Sequence, residues 1–471
     1  MSPQPGISTM TTDRPANLRR RTLLEALPAL LAGAPALGQA QQNDADALPS
    51  TRLALLVGNR DYPEPDDLPP THKNVHDLRA ALELRGFSVT DALDVDAAKT
   101  RQAIETFAAS VKSGPPDTVA FFYFTGHGLQ LDAESLLVGA GTSPKAKAEV
   151  LGRSSVSVMK DVVERMPQRP DALTICVIDA CRTNIRAAVQ ASDGLNQIEV
   201  PPGFLVAFST GAGKPAIAPA SANLSTFYTA SLVKLLKVAD AEATWSDFFS
   251  VVRLDVLNTM RNHPVEAVRA LAQDSFIAKD VRRPVTLARP TTGDKAEADP
   301  PSAAPRAPDD LEDWAAVDQS IWPQDVSKLA DGYLQRHPQG RRATAALAAR
   351  EGAKEASQVL KRTDVRLYRT AFNLADDMGE ELRADIHKSA RGDKDAAARV
   401  ARSYRDGNSP SAPGRYEGWL QYAAGLGNGI AAYELALHYR RSAQPLLASQ
   451  FESRARELGY TPPPTLDHYR K

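Results

Sequence analysis

The chain has 471 residues, 43% of them hydrophobic and 24% charged, with a formal net charge of −1. That is ordinary globular composition, long enough for two or more domains. The near-neutral balance gives no footing for a nucleic acid or another polyanionic partner.

The chain opens on a segment that reads as an export signal. Arg19-Arg20-Arg21-Thr22-Leu23-Leu24 has the form Arg-Arg-x-apolar-apolar, and an apolar stretch follows over 26–37. Small residues at Gly38 and Ala40 place a cleavage after Ala40, so residues 1–40 are expected to be a twin-arginine-type signal peptide. The alternative is a disordered basic tail before an ordinary helix. The apolar part is far short of the roughly 20 residues a spanning helix needs, and no later stretch is long and apolar enough to cross a membrane. The mature protein is therefore expected to be periplasmic or secreted, with no membrane span.

Residues 51–283 alternate strand and helix signals. Apolar runs at 53–57, 119–124, 175–178 and 204–208 fit strands buried on both faces of a parallel sheet. A shorter candidate lies at 87–92. Between them, 74–85 carries Val75, Leu78 and Leu82 at helical spacing and is closed by Gly86. Ile104, Phe107, Ala108 and Val111 share one face of a helix over 97–111. Further helices are expected near 156–166, 225–238 and 245–261, and the stretch 129–157 reads as a loop. The alternation predicts an α/β fold, a mostly parallel sheet with helices on both faces.

Residues 284–310 hold Pro290, Pro300, Pro301, Pro305 and Pro308 without apolar periodicity, and read as a linker. Beyond it the chain is helical in character: a helical region over 311–382, then an internal repeat over 383–471. Gly392-Asp393, Ala397, Val400, Ala401 and Tyr404 recur at an offset of 35 residues as Gly427-Asn428, Ala432, Leu435, Ala436 and Tyr439. A period in the mid-thirties with small residues at fixed places means stacked helical hairpins. It resembles the Sel-type repeat, a relative of the tetratricopeptide repeat. An Ala-rich helical bundle is the plainer alternative.

The chemistry-bearing residues sit at strand ends. The run over 175–178 ends in Asp179-Ala180-Cys181-Arg182, and the run over 119–124 ends in Thr125-Gly126-His127-Gly128. Ligands bind beyond the carboxyl ends of strands in open α/β sheets. If the two strands are neighbours, a thiol and an imidazole meet there, the pair used by cysteine hydrolases. The chain has two cysteines. Cys176 and Cys181 in one strand are roughly 16 Å apart, beyond disulfide reach, and face opposite ways. An imidazole at His127 favours the reactive thiolate of Cys181 and returns a proton to the leaving amine. The amide N–H groups of Gly128 and Cys181 are candidate oxyanion donors.

FYFTGHG followed by VIDACR resembles the caspase and metacaspase superfamily, whose core carries a His-Gly pair and an Asp-x-Cys. LALLVGNRDY, KNVHDLRAALELRGF, GFLVAFSTGAGKPA and STFYTASLVKLL extend the resemblance over about 52–279. The chain resembles bacterial caspase-like proteins with DACR at the nucleophile and helical repeats behind the peptidase domain. The resemblance implies His127 as general base, Cys181 as nucleophile, and the amides of Gly128 and Cys181 as the oxyanion hole. It implies that Asp179 lines the pocket for the residue before the cut. Asp77 falls where metacaspases carry a second pocket acid, and Thr125 where they carry a serine. Two carboxylates facing one cavity repel unless a cation arrives, which favours a substrate with Arg or Lys before the cut.

Calcium-activated metacaspases carry a dense acidic cluster after the histidine strand. Here 129–157 has only Asp132, Glu134 and Glu149, too few for a calcium site. No cofactor or metal is expected. Arg182, Arg186 and the loop 187–202 offer basic sites for self-cleavage. The expected function is a calcium-independent cysteine endopeptidase, its helical repeats binding a protein partner or positioning substrate. The rival is a non-catalytic caspase-like scaffold acting through those repeats.

Overall fold

A computed structural model describes residues 51–131, 134–180, 183–184 (backbone), 198–211, 216–287, 310–375, 378–405 and 414–460. The signal segment, Cys181, Arg182, Arg186, Asp132 and the proline-rich stretch 288–309 lie outside the described residues.

The main sheet has six strands. In chain order β1 is Arg52–Gly58, followed by helix α1 (Thr71–Leu84), β2 (Ser88–Leu93), α2 (Ala97–Ser113) and β3 (Val119–Gly126). A second group follows: β4 (Gly128–Leu131), β5 (Glu134–Val138), α3 (Ala148–Arg153), β6 (Ser155–Ser157) and a π-helical turn over Val158–Val163. Then come β7 (Thr174–Ala180), β8 (Thr183–Asn184), β9 (Phe204–Phe208), α4 (Phe227–Val238), α5 (Trp245–Arg261), α6 (Glu266–Ala270) and β10 (Phe276–Asp280). The strand order is β10-β9-β7-β3-β1-β2, parallel throughout except for β10, which runs antiparallel to β9.

Strand alternation sorts the apolar runs onto two faces. Phe121, Tyr123, Ile175 and Val177 pack under α1, α4 and α5 with Leu78, Leu232, Trp245 and Phe248. Phe122, Phe124, Cys176 and Ile178 pack on the opposite face with Ile104, Phe107 and Val162. Helices thus cover both faces, as the alternation of signals predicts.

Three expectations are corrected. The stretch 129–157 is not a loop: β4, β5 and β6 form an antiparallel ribbon, and β8 adds to β4 to make a four-stranded sheet. Its strands are short, and Leu129, Leu136, Val138 and Leu151 bury a small core of their own against Tyr62. The helix expected at 156–166 begins instead as a strand and passes into one π-helical turn, with Ser157 Oγ accepting from the Lys160 amide. Strand β10 escapes a period-based reading because FIAKD alternates too briefly. Order also continues past 284, since Leu287 is fully buried and its carbonyl accepts from Arg52.

Eight α-helices and a 3-10 turn (Arg369–Phe372) complete the described chain: α7 (Asp310–Gln319), α8 (Pro323–Arg336), α9 (Ala343–Leu360), α10 (Glu380–Ala390), α11 (Lys394–Ser403), α12 (Arg415–Gly425), α13 (Gly429–Arg441) and α14 (Pro445–Glu457). One apolar core runs through them, from Val317 and Tyr333 to Trp419, Leu435 and Phe451. The 35-residue echo is structural. Gly392 and Gly427 take φ of +79° and +100°, which only glycine adopts freely. Asp393 and Asn428 then cap α11 and α13, accepting from the amides of Ala396 and Ala431.

The helices pack directly on the α/β part. Arg253 of α5 donates to Glu355 of α9 at 3.0 Å, and Arg342 pairs with Glu242 at 2.9 Å. Lys279 of β10 pairs with Asp393 at 3.1 Å. Burial pushes the Asp393 carboxyl up, but Lys279 and Arg399 outweigh it and hold the group well below the usual carboxylate range. Among the described residues no helix is long and apolar enough to cross a membrane.

Candidate active site

β3 and β7 are neighbours in register, Thr125 opposite Asp179 and Gly126 opposite Ala180. The strand tips that carry the predicted chemistry therefore stand side by side. His127 follows β3 directly. Its ring Nε2 lies 2.7 Å from the carbonyl oxygen of Asp66. A carbonyl can only accept, so Nε2 carries the proton and Nδ1 is left as the basic nitrogen. Tyr62 packs edge-on against the imidazole, centroids 4.5 Å apart. Its hydroxyl accepts from the His127 amide at 3.0 Å and donates to the Val138 carbonyl at 3.1 Å. Burial lowers the imidazole pKa, only partly offset by the Asp66 carbonyl, so His127 is neutral near pH 7.

Gly126 is required by close approach. A Cβ there would lie 2.7 Å from Tyr62 Oη and 2.8 Å from the Phe124 ring. Gly128 opens β4 opposite Leu137. Because the His127 carbonyl accepts from the Val138 amide at 2.9 Å, ladder alternation turns the Gly128 N–H away from β5. The loop that offers the Asp66 carbonyl is itself held: Lys145 Nζ donates to Asp66 Oδ1 at 2.5 Å, and Asp67 accepts from the Tyr62 amide at 3.0 Å.

Of the two cysteines, Cys176 is fully buried on the α2 face of β7, and burial alone pushes its thiol up to about 12. It is inert at neutral pH. Cys181 lies outside the described residues; it is the residue after Ala180, the last of β7.

Asp179 is 3% exposed. Its Oδ2 accepts from Thr226 Oγ1 at 2.5 Å and Thr229 Oγ1 at 2.6 Å. Burial raises its pKa, against the opposing pull of the Thr226 and Thr229 hydroxyl donors. No cation stands among those partners. Thr125 is also buried, and its Oγ1 accepts from the Asn74 side-chain amide at 3.1 Å. Asn74 donates to Thr226 Oγ1 as well, at 3.2 Å, and accepts from the Thr226 amide at 3.1 Å. Asp179, Thr226, Asn74 and Thr125 thus form one buried network.

Asp77 stands one helical turn beyond Asn74 and outside that network's centre. Its carboxylate is a quarter exposed and pairs with Lys73 at 2.8 Å. It reaches the network only indirectly, by accepting from Ser225 Oγ at 3.2 Å. Sequence reasoning missed Asn74, Tyr62 and the Asp66 carbonyl. Asn74 sits on the apolar face that Val75 and Leu78 define, and a polar residue there was the available signal. A backbone carbonyl leaves no mark in a sequence.

In the acid-poor segment after β4, Glu134 pairs with Lys160. Among the described residues no cluster of three or more His, Cys, Asp or Glu side chains could hold a metal ion.

Residues 51–276 match the family described as Peptidase_C14, Caspase domain. The chain is also similar to human mucosa-associated lymphoid tissue lymphoma translocation protein 1, with 23% identity over 142 residues. That match covers 30% of this chain and 16% of the human protein. Strand order, paired strand tips and this match agree that residues 51–276 form a caspase-like domain, to which a C-terminal helical region is joined.

Proposed function

We propose that the protein is a cysteine endopeptidase in which His127 is the general base and Cys181 the nucleophile. The observation that carries this reading is the parallel register of β3 and β7. Ala180 is the partner of Gly126, and one trans peptide bond sets adjacent Cα atoms about 3.8 Å apart. His127 and Cys181 are the next residues in sequence after Gly126 and Ala180, and the register of these partners supports pairing the two in one site. The protonated Nε2 of His127 leaves Nδ1 to take the thiol proton. Thiolate attack on the scissile carbonyl gives a tetrahedral intermediate, with the Gly128 and Cys181 amides as its oxyanion donors. His127 then gives its proton to the leaving amine, and water hydrolyses the acyl-enzyme.

The buried Asp179 carboxyl supports a preference for Arg or Lys before the cut. Among the described residues its partners are hydroxyls and none is a cation, so a basic substrate side chain would supply a counter-charge. Asp77 and Thr125 border the same pocket, Asp77 as its outer acid. Activity is calcium-independent on this reading, because Glu134 is committed to Lys160 and the segment holds few other acids. Twin-arginine export to the periplasm and a Sel-type identity for the repeats belong to the same proposal. Their support is the sequence pattern and the paired Gly-Asp and Gly-Asn turns. So does a protein partner for the repeats.

The test is hydrolysis of fluorogenic peptides ending in Arg, Lys or Asp by purified protein and by the His127→Ala variant. Arg and Lys peptides are expected to be cleaved with chelator present, and His127→Ala to lose about 10²–10⁴-fold in rate. Equal residual rates for both proteins would contradict the reading.

A further inference from the structure

The sheet has two edge strands, β2 and β10. An open edge offers unpaired N–H and C=O groups on alternate residues, a template for another chain. On β10 the residues whose backbone turns away from β9 are Ile277 and Lys279, with Val281 next in the series. Each meets a side chain of the helical region. Lys394 Nζ donates to the Ile277 carbonyl at 2.7 Å. The Lys279 amide donates to Asp395 Oδ2 at 3.3 Å, and the Lys279 carbonyl accepts from Arg399 at 3.5 Å. Lys388 Nζ donates to the Val281 carbonyl at 2.7 Å.

These contacts have the period of a β-ladder, at i, i+2 and i+4. A docking face chosen only for apolar area would have no reason to follow that period. Here the donors and acceptor come from α10 and the first turns of α11, at the Gly-Asp turn that marks the repeat. The docking is reinforced by the Lys279–Asp393 pair and by Lys394 lying over the Phe276 ring at 4.6 Å.

We propose that the first helical repeat stands in for a seventh strand, capping the β10 edge so that the chain is a monomer and β10 is closed to a second copy of itself. Loss of the cap exposes a five-residue edge that pairs antiparallel with the β10 of another copy. The repeat's inner face is on this account an intramolecular one, and only its outer faces are left for other partners.

The experiment uses the full chain and a Lys388→Met, Lys394→Met, Asp395→Ala variant. Methionine keeps the packing stem and removes the donor. Sedimentation over a concentration series and hydrogen exchange across 276–281 are read together. The wild type should be monomeric with a protected β10. The triple variant should exchange at least about tenfold faster there when dilute, and form dimers when concentrated. Adding Ile277→Pro, which removes an outward N–H but no bond to β9, should return it to a monomer. The single variants Lys394→Met and Asp395→Ala grade the same exchange readout should the triple variant fold poorly. A wild type that dimerises, unchanged β10 exchange in all variants, absence of dimers, or association that survives Ile277→Pro each overturns the proposal.

Discussion

The side-chain amide of Asn74 and the backbone and hydroxyl of Thr226 hold each other through two hydrogen bonds, 3.2 and 3.1 Å long. Thr226 in turn donates to Asp179, so α1 sets the position of the group that holds the Asp179 carboxyl. Asn74→Ala strands buried donors and acceptors on Thr125 and Thr226, at about 1–3 kcal/mol. It is expected to lower kcat/KM for an Arg peptide about tenfold or more. Asp77→Asn, at a part-exposed pair with Lys73, is expected to cost less than about threefold. Steady-state kinetics on the two variants decide the order; a larger effect at Asp77 would reverse the assignment of the pocket.

Asp179→Asn separates stability from specificity. Burial raises the Asp179 pKa, so the folded state holds its proton more tightly than the unfolded chain. The resulting stability is fully present below the unfolded carboxyl value and is lost as pH rises through the raised folded value. Asparagine removes that loss. Thermal unfolding at neutral pH should move upward, by about 2–4 °C for each kcal/mol recovered, while cleavage after Arg disappears. A variant that is less stable and still cleaves after Arg would contradict the pocket role.

The acid limb of the activity profile reports His127. The proposed mechanism needs its neutral form, and burial lowers its pKa from 6.5. Activity should therefore persist below pH 6.5 and fall only as pH drops through the depressed value. Tyr62→Phe leaves the His127 amide without its acceptor and should cut kcat more than it raises KM. A pH–rate profile of kcat/KM with its midpoint at or above 6.5 would be inconsistent with the buried, carbonyl-bound imidazole.

Gly126→Ala should destabilise the domain by about 1–3 kcal/mol, the usual cost of overpacking. The added methyl meets Tyr62 Oη and Phe124, and Tyr62 is itself packed on the His127 ring and bonded to its amide. Urea unfolding would show it; an unchanged midpoint would mean that the Tyr62 hydroxyl yields freely.

How much of this was legible in the sequence follows physical lines. The central strands were, because 119–124 and 175–178 are continuous apolar runs that fit a two-sided core. The repeat was, because Gly392 and Gly427 must take positive φ and so recur at a fixed offset. The ribbon of β4 to β6 was not, since each strand is short and its pairing is non-local. The edge strand β10 was hidden for the same reason, and its side-chain cap depends on Lys388, Lys394 and Asp395, charged residues that look like any solvated helix surface. Asp77 drew the eye as an acid, whereas Asn74, neutral and one turn away, makes the contacts.

The central claim is that Cys181 is the nucleophile beside His127, and an Arg-chloromethylketone followed by peptide mass mapping tests it most directly. The account predicts a single adduct on Cys181, none on the buried Cys176, and loss of both adduct and peptide hydrolysis in Cys181→Ala. Hydrolysis that persists in Cys181→Ala, or an adduct on Cys176 in the folded protein, would contradict it.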